Sequence, residues 1–140
     1  MNIEDLEKWH FELNESACDQ LLDLVLKGKK RATSSSVASF LNEGTKIPEK
    51  GDRSVITDWK GNPRCVIETV RVRIIPYKEI DFDIARLEGE DDDLDSWRKS
   101  HEKFFTEEGK ELGYEFSEDM DVVFEEFEVL EIIPLKDQPE

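Results

Sequence analysis

The sequence predicts an α+β fold, a curved and mostly antiparallel sheet or small barrel with helices packed around it. Three observations carry that expectation. The 140 residues match one domain of common size, large enough to bury a core without disulfides or metals. Apolar residues recur at helical spacing over 16–43 and 94–108, and as strand-like runs over 54–75 and 122–133. No internal repeat and no Gly/Pro/Ser-rich linker divides the chain, so these segments share one core.

Ser16 and Asp19 fit a capping box ahead of Leu21, Leu22, Leu24, Val25 and Leu26. They predict a helix over 16–27 that Gly28 stops with a left-handed cap. Ser34-Ser35-Ser36 precedes a second short helix, with Val37, Phe40 and Leu41 on one face and Gly44 as its stop. Residues 29–33 are then the connection between two helices. Ser54–Trp59 reads as a strand and Lys60-Gly61-Asn62-Pro63 as a turn. Arg64–Ile75 reads as a long strand with Val66, Val70, Val72 and Ile74 on one face, ended by Pro76. Phe82–Glu88 supplies one or two helical turns. The acidic run Glu90–Asp93 leads into a helix over 94–108 whose stripe is Leu94, Trp97, His101, Phe104 and Phe105. Val122–Ile133 reads as a closing strand, and Lys136–Glu140 as a frayed polar tail.

The run Gly28-Lys29-Lys30-Arg31-Ala32-Thr33 carries the densest chemistry. A hydroxyl is a weak nucleophile and needs a base beside it. Lys30 serves as that base if burial or the cations at Lys27, Lys29 and Arg31 lower its pKa. The start of the following helix would then favour a developing oxyanion on a group that Thr33 attacks. A purely structural reading also fits, because cations near a helix C-terminus meet the negative end of its dipole. Lys30 and Thr33 stand in a connection, so truncating them is expected to leave the core intact. Glu88 is either a solvated acid or a partner that pairs with Lys30. Glu125 shares strand parity with Val123, Phe127 and Val129, which would bury it and require a partner. The opposite parity, with Val122, Phe124, Leu130 and Ile132 inward, fits equally well. Glu68 poses the same question beside Val66 and Val70. His101 reads as a core or helix-end histidine. With His10 the only other histidine, no histidine metal triad assembles. Cys18 and Cys65 are too few for a cysteine framework and read as packing residues. No Walker or Rossmann phosphate loop is present. No metal and no cofactor are expected.

Read in order, these segments resemble one family. The leucine-rich helix ends in Leu24-Val25-Leu26-Lys27-Gly28-Lys29-Lys30-Arg31-Ala32-Thr33-Ser34-Ser35, followed by Pro48-Glu49-Lys50-Gly51-Asp52 before a strand. Then come Gly61-Asn62-Pro63-Arg64-Cys65-Val66-Ile67, Ile84-Ala85-Arg86-Leu87-Glu88-Gly89-Glu90, a segment from Trp97 to Phe105, and Val122-Val123-Phe124-Glu125. The chain resembles the ASCH domain family of the PUA-like superfold, in a longer subgroup related to small acetylcytidine amidohydrolases. The resemblance implies a single domain over 1–140, with the motif-bearing region at about 11–133, built as a small mixed or antiparallel β-barrel flanked by helices. It implies Thr33 as nucleophile with Lys30 and Glu88 as acid–base partners, acting on an acylated nucleoside such as acetylcytidine. Arg31, Ser34, Glu125 and Trp97 are expected around the substrate. Other relatives resemble RNA-binding or ribonuclease modules, and a nucleotide-sensing domain without turnover is the third reading.

The net charge of −16 is unevenly spread. Residues 1–75 hold 12 Lys/Arg and 12 Asp/Glu, and residues 76–140 hold 7 and 23. Such a field favours solubility and opposes a phosphate backbone, so the expected partner is a small nucleoside-like ligand rather than a long nucleic acid. No stretch approaches the roughly 18 apolar residues of a membrane span. Met1-Asn2-Ile3-Glu4-Asp5 lacks a basic region followed by an apolar one, which leads to an expected cytoplasmic location. Generic single-stranded RNA is expected to bind weakly at physiological salt. A titration showing tight binding with a steep salt slope would reverse that expectation.

Overall fold

Residues 63–76 and 121–132 are rich in Val, Ile and Phe, and they form the two long strands at the middle of the sheet. The computed structural model describes residues 2–11 and 14–135. Its strands are β1 (Glu7–Trp9), β2 (Ala32–Ser36), β3 (Arg53–Thr57), β4 (Pro63–Pro76) and β5 (Asp121–Ile132). Its helices are α1 (Glu15–Leu26), α2 (Val37–Glu43), α3 (Phe82–Ala85) and α4 (Leu94–Leu112). The five strands form one mixed sheet in the order β1-β3-β4-β5-β2, curved into a half-barrel. Among the described residues, only the β1–β3 pairing is parallel. The α+β expectation holds. The barrel is open, because β1 and β2 are its two edges.

Two apolar clusters flank the sheet. Leu22 and Val25 of α1 pack with Phe11 onto Ile56, Cys65, Ile67 and Phe127. Trp97 and Phe105 of α4 pack with Tyr77, Ile80, Ala85 and Val122. Helix α1 begins at Glu15 rather than 16, and its cap is Asn14, two residues before the Ser16 of the predicted capping box, because the Asn14 side chain accepts the Ala17 amide. Gly28 then turns the chain at φ 78°, as expected. Helix α2 starts on the Ser36 cap and stops at left-handed Gly44, also as expected. Residues 32–36 are not part of a connection. They form edge strand β2, paired to β5 from Ala32↔Glu126 to Ser36↔Val122.

The face predicted for β4 is wrong. A register shift at Thr69/Arg71 leaves Val70 without a partner, so the inward parity changes along the strand. Val66 is fully buried, whereas Val70 and Ile74 are 44% and 53% exposed. Glu68 is a half-exposed partner of Arg53 at 3.1 Å. The polar tail at 136–140 lies outside the described residues. Ile67→Ala is expected to destabilise the fold by about 2–5 kcal/mol, and Val70→Ala by less than about 0.5 kcal/mol. Urea unfolding of the two variants checks this, and equal losses would contradict the shifted register.

Candidate functional site

The glycine after Glu88 brings two distant segments together. Gly89 ends a 3₁₀ turn (Arg86–Glu88) at φ 69°, and a Cβ there would overlap the carbonyl of Lys29. The Arg31 amide donates to the Leu87 carbonyl at 2.9 Å. These backbone contacts hold the turn against the entry to β2, so positions 30 and 88 meet.

Lys30 and Glu88 are both fully buried, 1% and 2% exposed, and pair at 3.1 Å. Lys30 Nζ also donates to Glu90 Oε2 at 2.6 Å. Ser34 Oγ and Trp97 Nε1 donate to Glu88 Oε2 at 2.8 Å and 2.7 Å. His101 Nε2 lies 3.1 Å from Glu88 Oε2 and 3.3 Å from Oε1. His101 Nδ1 faces the Trp97 carbonyl at 2.8 Å. With a carboxylate at Nε2, and the Trp97 carbonyl and the Ser100 hydroxyl at Nδ1 (3.2 Å to the latter), an imidazolium can donate from both nitrogens.

The titration behaviour agrees with this geometry. Burial would lower His101, but Glu88, with Glu90 and the Trp97 carbonyl, together outweigh it and raise the ring to about 9. Burial would likewise lower Lys30, but Glu88 and Glu90 hold it above its ordinary value. Lys30 is therefore an ammonium at rest, which corrects the expectation of a lowered pKa. Burial pushes Glu88 up, yet His101 and Lys30 hold it well below the usual carboxylate range. Burial, only partly offset by Lys30, leaves Glu90 raised. Glu88, Glu90 and His101 offer three atoms within 4.8 Å of one another, spacing that suits a metal ion. The Lys30 ammonium already meets both carboxylates there and supplies the neutralising cation.

Two hollows adjoin this cluster. A small pocket of about 60 Å³ is lined by Lys30, Glu88, Glu90 and His101. A cleft of about 720 Å³ opens between the sheet, α2 and α4. Phe11, Thr33, Ser34 and Phe104 line both and form the partition. Thr33 is 8% exposed, and among the described residues its hydroxyl makes no side-chain hydrogen bond. It stands in β2, not at the mouth of α2, so the amides that open α2 are not its neighbours. Glu125 lies directly across from Thr33 in the β2–β5 register and lines the cleft. Thr69 Oγ1 donates to Glu125 Oε2 at 2.7 Å, and burial raises its pKa. Position 125 is buried with Val123 and Phe127. Val122 and Phe124 of the opposite parity are buried too, so β5 is covered on both faces there, and of that opposite set only Leu130 and Ile132 are exposed.

Two expected substrate contacts lie elsewhere. Trp97 is fully buried and lines neither hollow, because its indole N–H is spent on Glu88. Arg31 is exposed and lines neither hollow. Sequence reasoning missed Glu90 and His101. The signal for His101 was present, a histidine one turn after Trp97 on the buried stripe of α4.

The ASCH domain model matches residues 7–131. The chain belongs to the ASCH domain family. An ASCH domain from Lactobacillus crispatus JV V101 is 38% identical, with a TM-score of 0.80 over 89% of this chain and 79% of that one. A protein from Enterococcus faecalis V583 is 31% identical, with a TM-score of 0.82 over 90% and 77%. A hypothetical protein at 19% identity and TM-score 0.51, over 88% and 99%, shares the fold alone. No curated protein matches the sequence. None of the described helices of this ASCH domain is long and apolar enough to cross a membrane.

Because Lys30 balances buried carboxylates, Lys30→Ala is expected to cost about 3–5 kcal/mol. This corrects the expectation that its truncation spares the fold, and urea unfolding measures it. The folded value of His101, about 9, lies above its ordinary 6.5. Its contribution to stability is then complete below pH 6.5 and lost as pH rises through about 9. The melting temperature should fall across that window, and His101→Gln should flatten the fall.

Proposed function

We propose that this ASCH domain is an amidohydrolase of a small N-acylated nucleoside such as acetylcytidine, placed with the small amidohydrolases that its longer subgroup resembles. The observation that carries this reading is Thr33, whose unengaged hydroxyl stands on the wall between an open cleft and a buried Lys30–Glu88–Glu90 cluster.

The resting ammonium of Lys30 cannot accept a proton, so the reaction starts with the short contact to Glu90. A bound substrate displaces water, and loss of water favours the neutral forms of both groups. Lys30 passes one proton to Glu90, whose raised pKa suits it to hold that proton. The neutral amine then takes the proton of Thr33 as Oγ attacks the acyl carbon. Lys30 is again an ammonium, and it steadies the oxyanion. The C–N bond breaks, and the leaving amine takes a proton from Lys30. Water then cleaves the acyl-threonine ester and releases the carboxylic acid. Ser34, Trp97 and His101 act through Glu88, which fixes the position of Lys30.

The resting ion pair also favours a second reading, a domain that binds a nucleoside without turnover. Incubation with a panel of acylated nucleosides, followed by chromatography of the free amine, separates the two. Product from one of them is expected, and Thr33→Val should reduce it at least about a hundredfold with the fold intact by circular dichroism. Binding with no product from any substrate would overturn hydrolysis in favour of the second reading.

A further inference from the structure

The cleft outside the catalytic pocket has a charge pattern that bears on what enters it. Six carboxylates line it, from Glu7, Glu43, Asp52, Glu108, Glu111 and Glu125. Three cations do so, Lys8, Lys46 and Arg53, and each is already engaged. Lys46 pairs with Asp52 at 3.0 Å, and Arg53 pairs with Glu68 at 3.1 Å. Lys8 donates to the carbonyls of Ile3 and Leu6. Lys30, in the inner pocket, is held by Glu88 and Glu90. The cleft thus sets six carboxylates against three cations, two of which are already paired with acids, and its net charge is negative.

The acids alone would be a solvated rim, but Glu125 is different. It is 8% exposed, on the wall of the cleft beside Thr33. Cross-strand neighbours in an antiparallel pair project on the same face of the sheet, about 5 Å apart. One Glu125 oxygen accepts from Thr69, and the other accepts no hydrogen bond among the described residues. That oxygen opens onto the cleft rather than lying sealed and unpaired, so it can accept an N–H from a bound ligand. Trp9, Phe40 and Phe104 add flat apolar walls to the same cleft.

We propose that Glu125 receives the amino or other N–H edge of the ligand, and that the acidic cleft admits neutral or cationic amine-bearing molecules while excluding their phosphorylated forms. This rests on the reading of the cleft as a nucleoside site. It narrows the substrate class to unphosphorylated nucleosides and bases, and makes Glu125 the specificity-determining residue. The excess of carboxylates repels a phosphate dianion, and Glu125 rejects a ligand that turns a carbonyl toward it.

The test measures equilibrium binding, so it does not depend on turnover. Cytidine, cytidine 5′-monophosphate and uridine are titrated calorimetrically at low and at physiological salt. Cytidine should bind at least about tenfold more tightly than its monophosphate or uridine, since a missing charge-assisted hydrogen bond or an unscreened repulsion is worth that much. Added salt should narrow the gap to the monophosphate by screening repulsion. The double variant Glu43→Gln/Glu111→Gln changes two exposed side chains and should narrow the same gap about threefold. Glu125→Gln, checked for folding by its melting temperature, should weaken cytidine about tenfold and shift preference toward uridine, because its amide now donates. A merely structural Glu125 would move neither preference. Monophosphate binding as tight as cytidine, absence of cytidine binding, or unchanged base preference in a folded Glu125→Gln would overturn the proposal. If that variant fails to fold, the salt response and the rim variant still decide it. Cytidine bound with acetylcytidine left intact would overturn hydrolysis alone.

Discussion

Everything about this site depends on one buried carboxylate. Glu88 is 2% exposed, yet it is kept ionised by four side chains from two distant stretches of the chain, 30–34 and 97–101. Removing an ammonium, an imidazolium and a carboxylate from water costs several kcal/mol per ion, and only a full set of partners offsets that. The set is nearly complete here, since both Glu88 oxygens receive at least two donors. The cluster is thus a rigid electrostatic unit. Its members act as a group, so removing any one leaves the others buried and underpaired.

The sequence revealed most of the fold and only part of the site. Helices α1 and α2 and strands β3, β4 and β5 were legible because caps and apolar period agreed there. Strand β2 was hidden because Ala32-Thr33-Ser34-Ser35-Ser36 has no apolar alternation, and its serines look like a helix cap. Strand β1 is three residues long and pairs with β3 far along the chain, so nothing local marks it. The unpaired residue at Val70 reversed the predicted face of β4, which no periodicity rule detects. Lys30 and Thr33 stood out in the run 28–33 itself, and the family resemblance added their roles and the convergence with Glu88, which no spacing shows. Glu90 was lost among its acidic neighbours. Trp97 was assigned to the ligand, whereas its indole serves Glu88.

The two hollows divide the work of the molecule. The buried cluster sets proton positions behind Thr33 and Ser34. The open cleft is framed by side chains from β1, α2, β3, α4 and β5, few of which touch the cluster. Changes on the rim can therefore alter what enters without disturbing the ion pairs behind the partition. Such a layout lets one catalytic arrangement accept different ligands among relatives of the same fold.

The contact between Gly89 and Lys29 has a second effect. Strand β2 is an edge of the sheet, and an open edge is a template for pairing with other chains. The 86–89 turn lies against the start of that strand, with Leu87 accepting the Arg31 amide. The turn thus caps part of the edge that it uses to build the site. A side chain at position 89 would push the turn away and uncover the Arg31 amide where the chain enters β2. Loss of the pocket and a tendency toward edge-to-edge aggregation would then arrive together, as one event at one glycine.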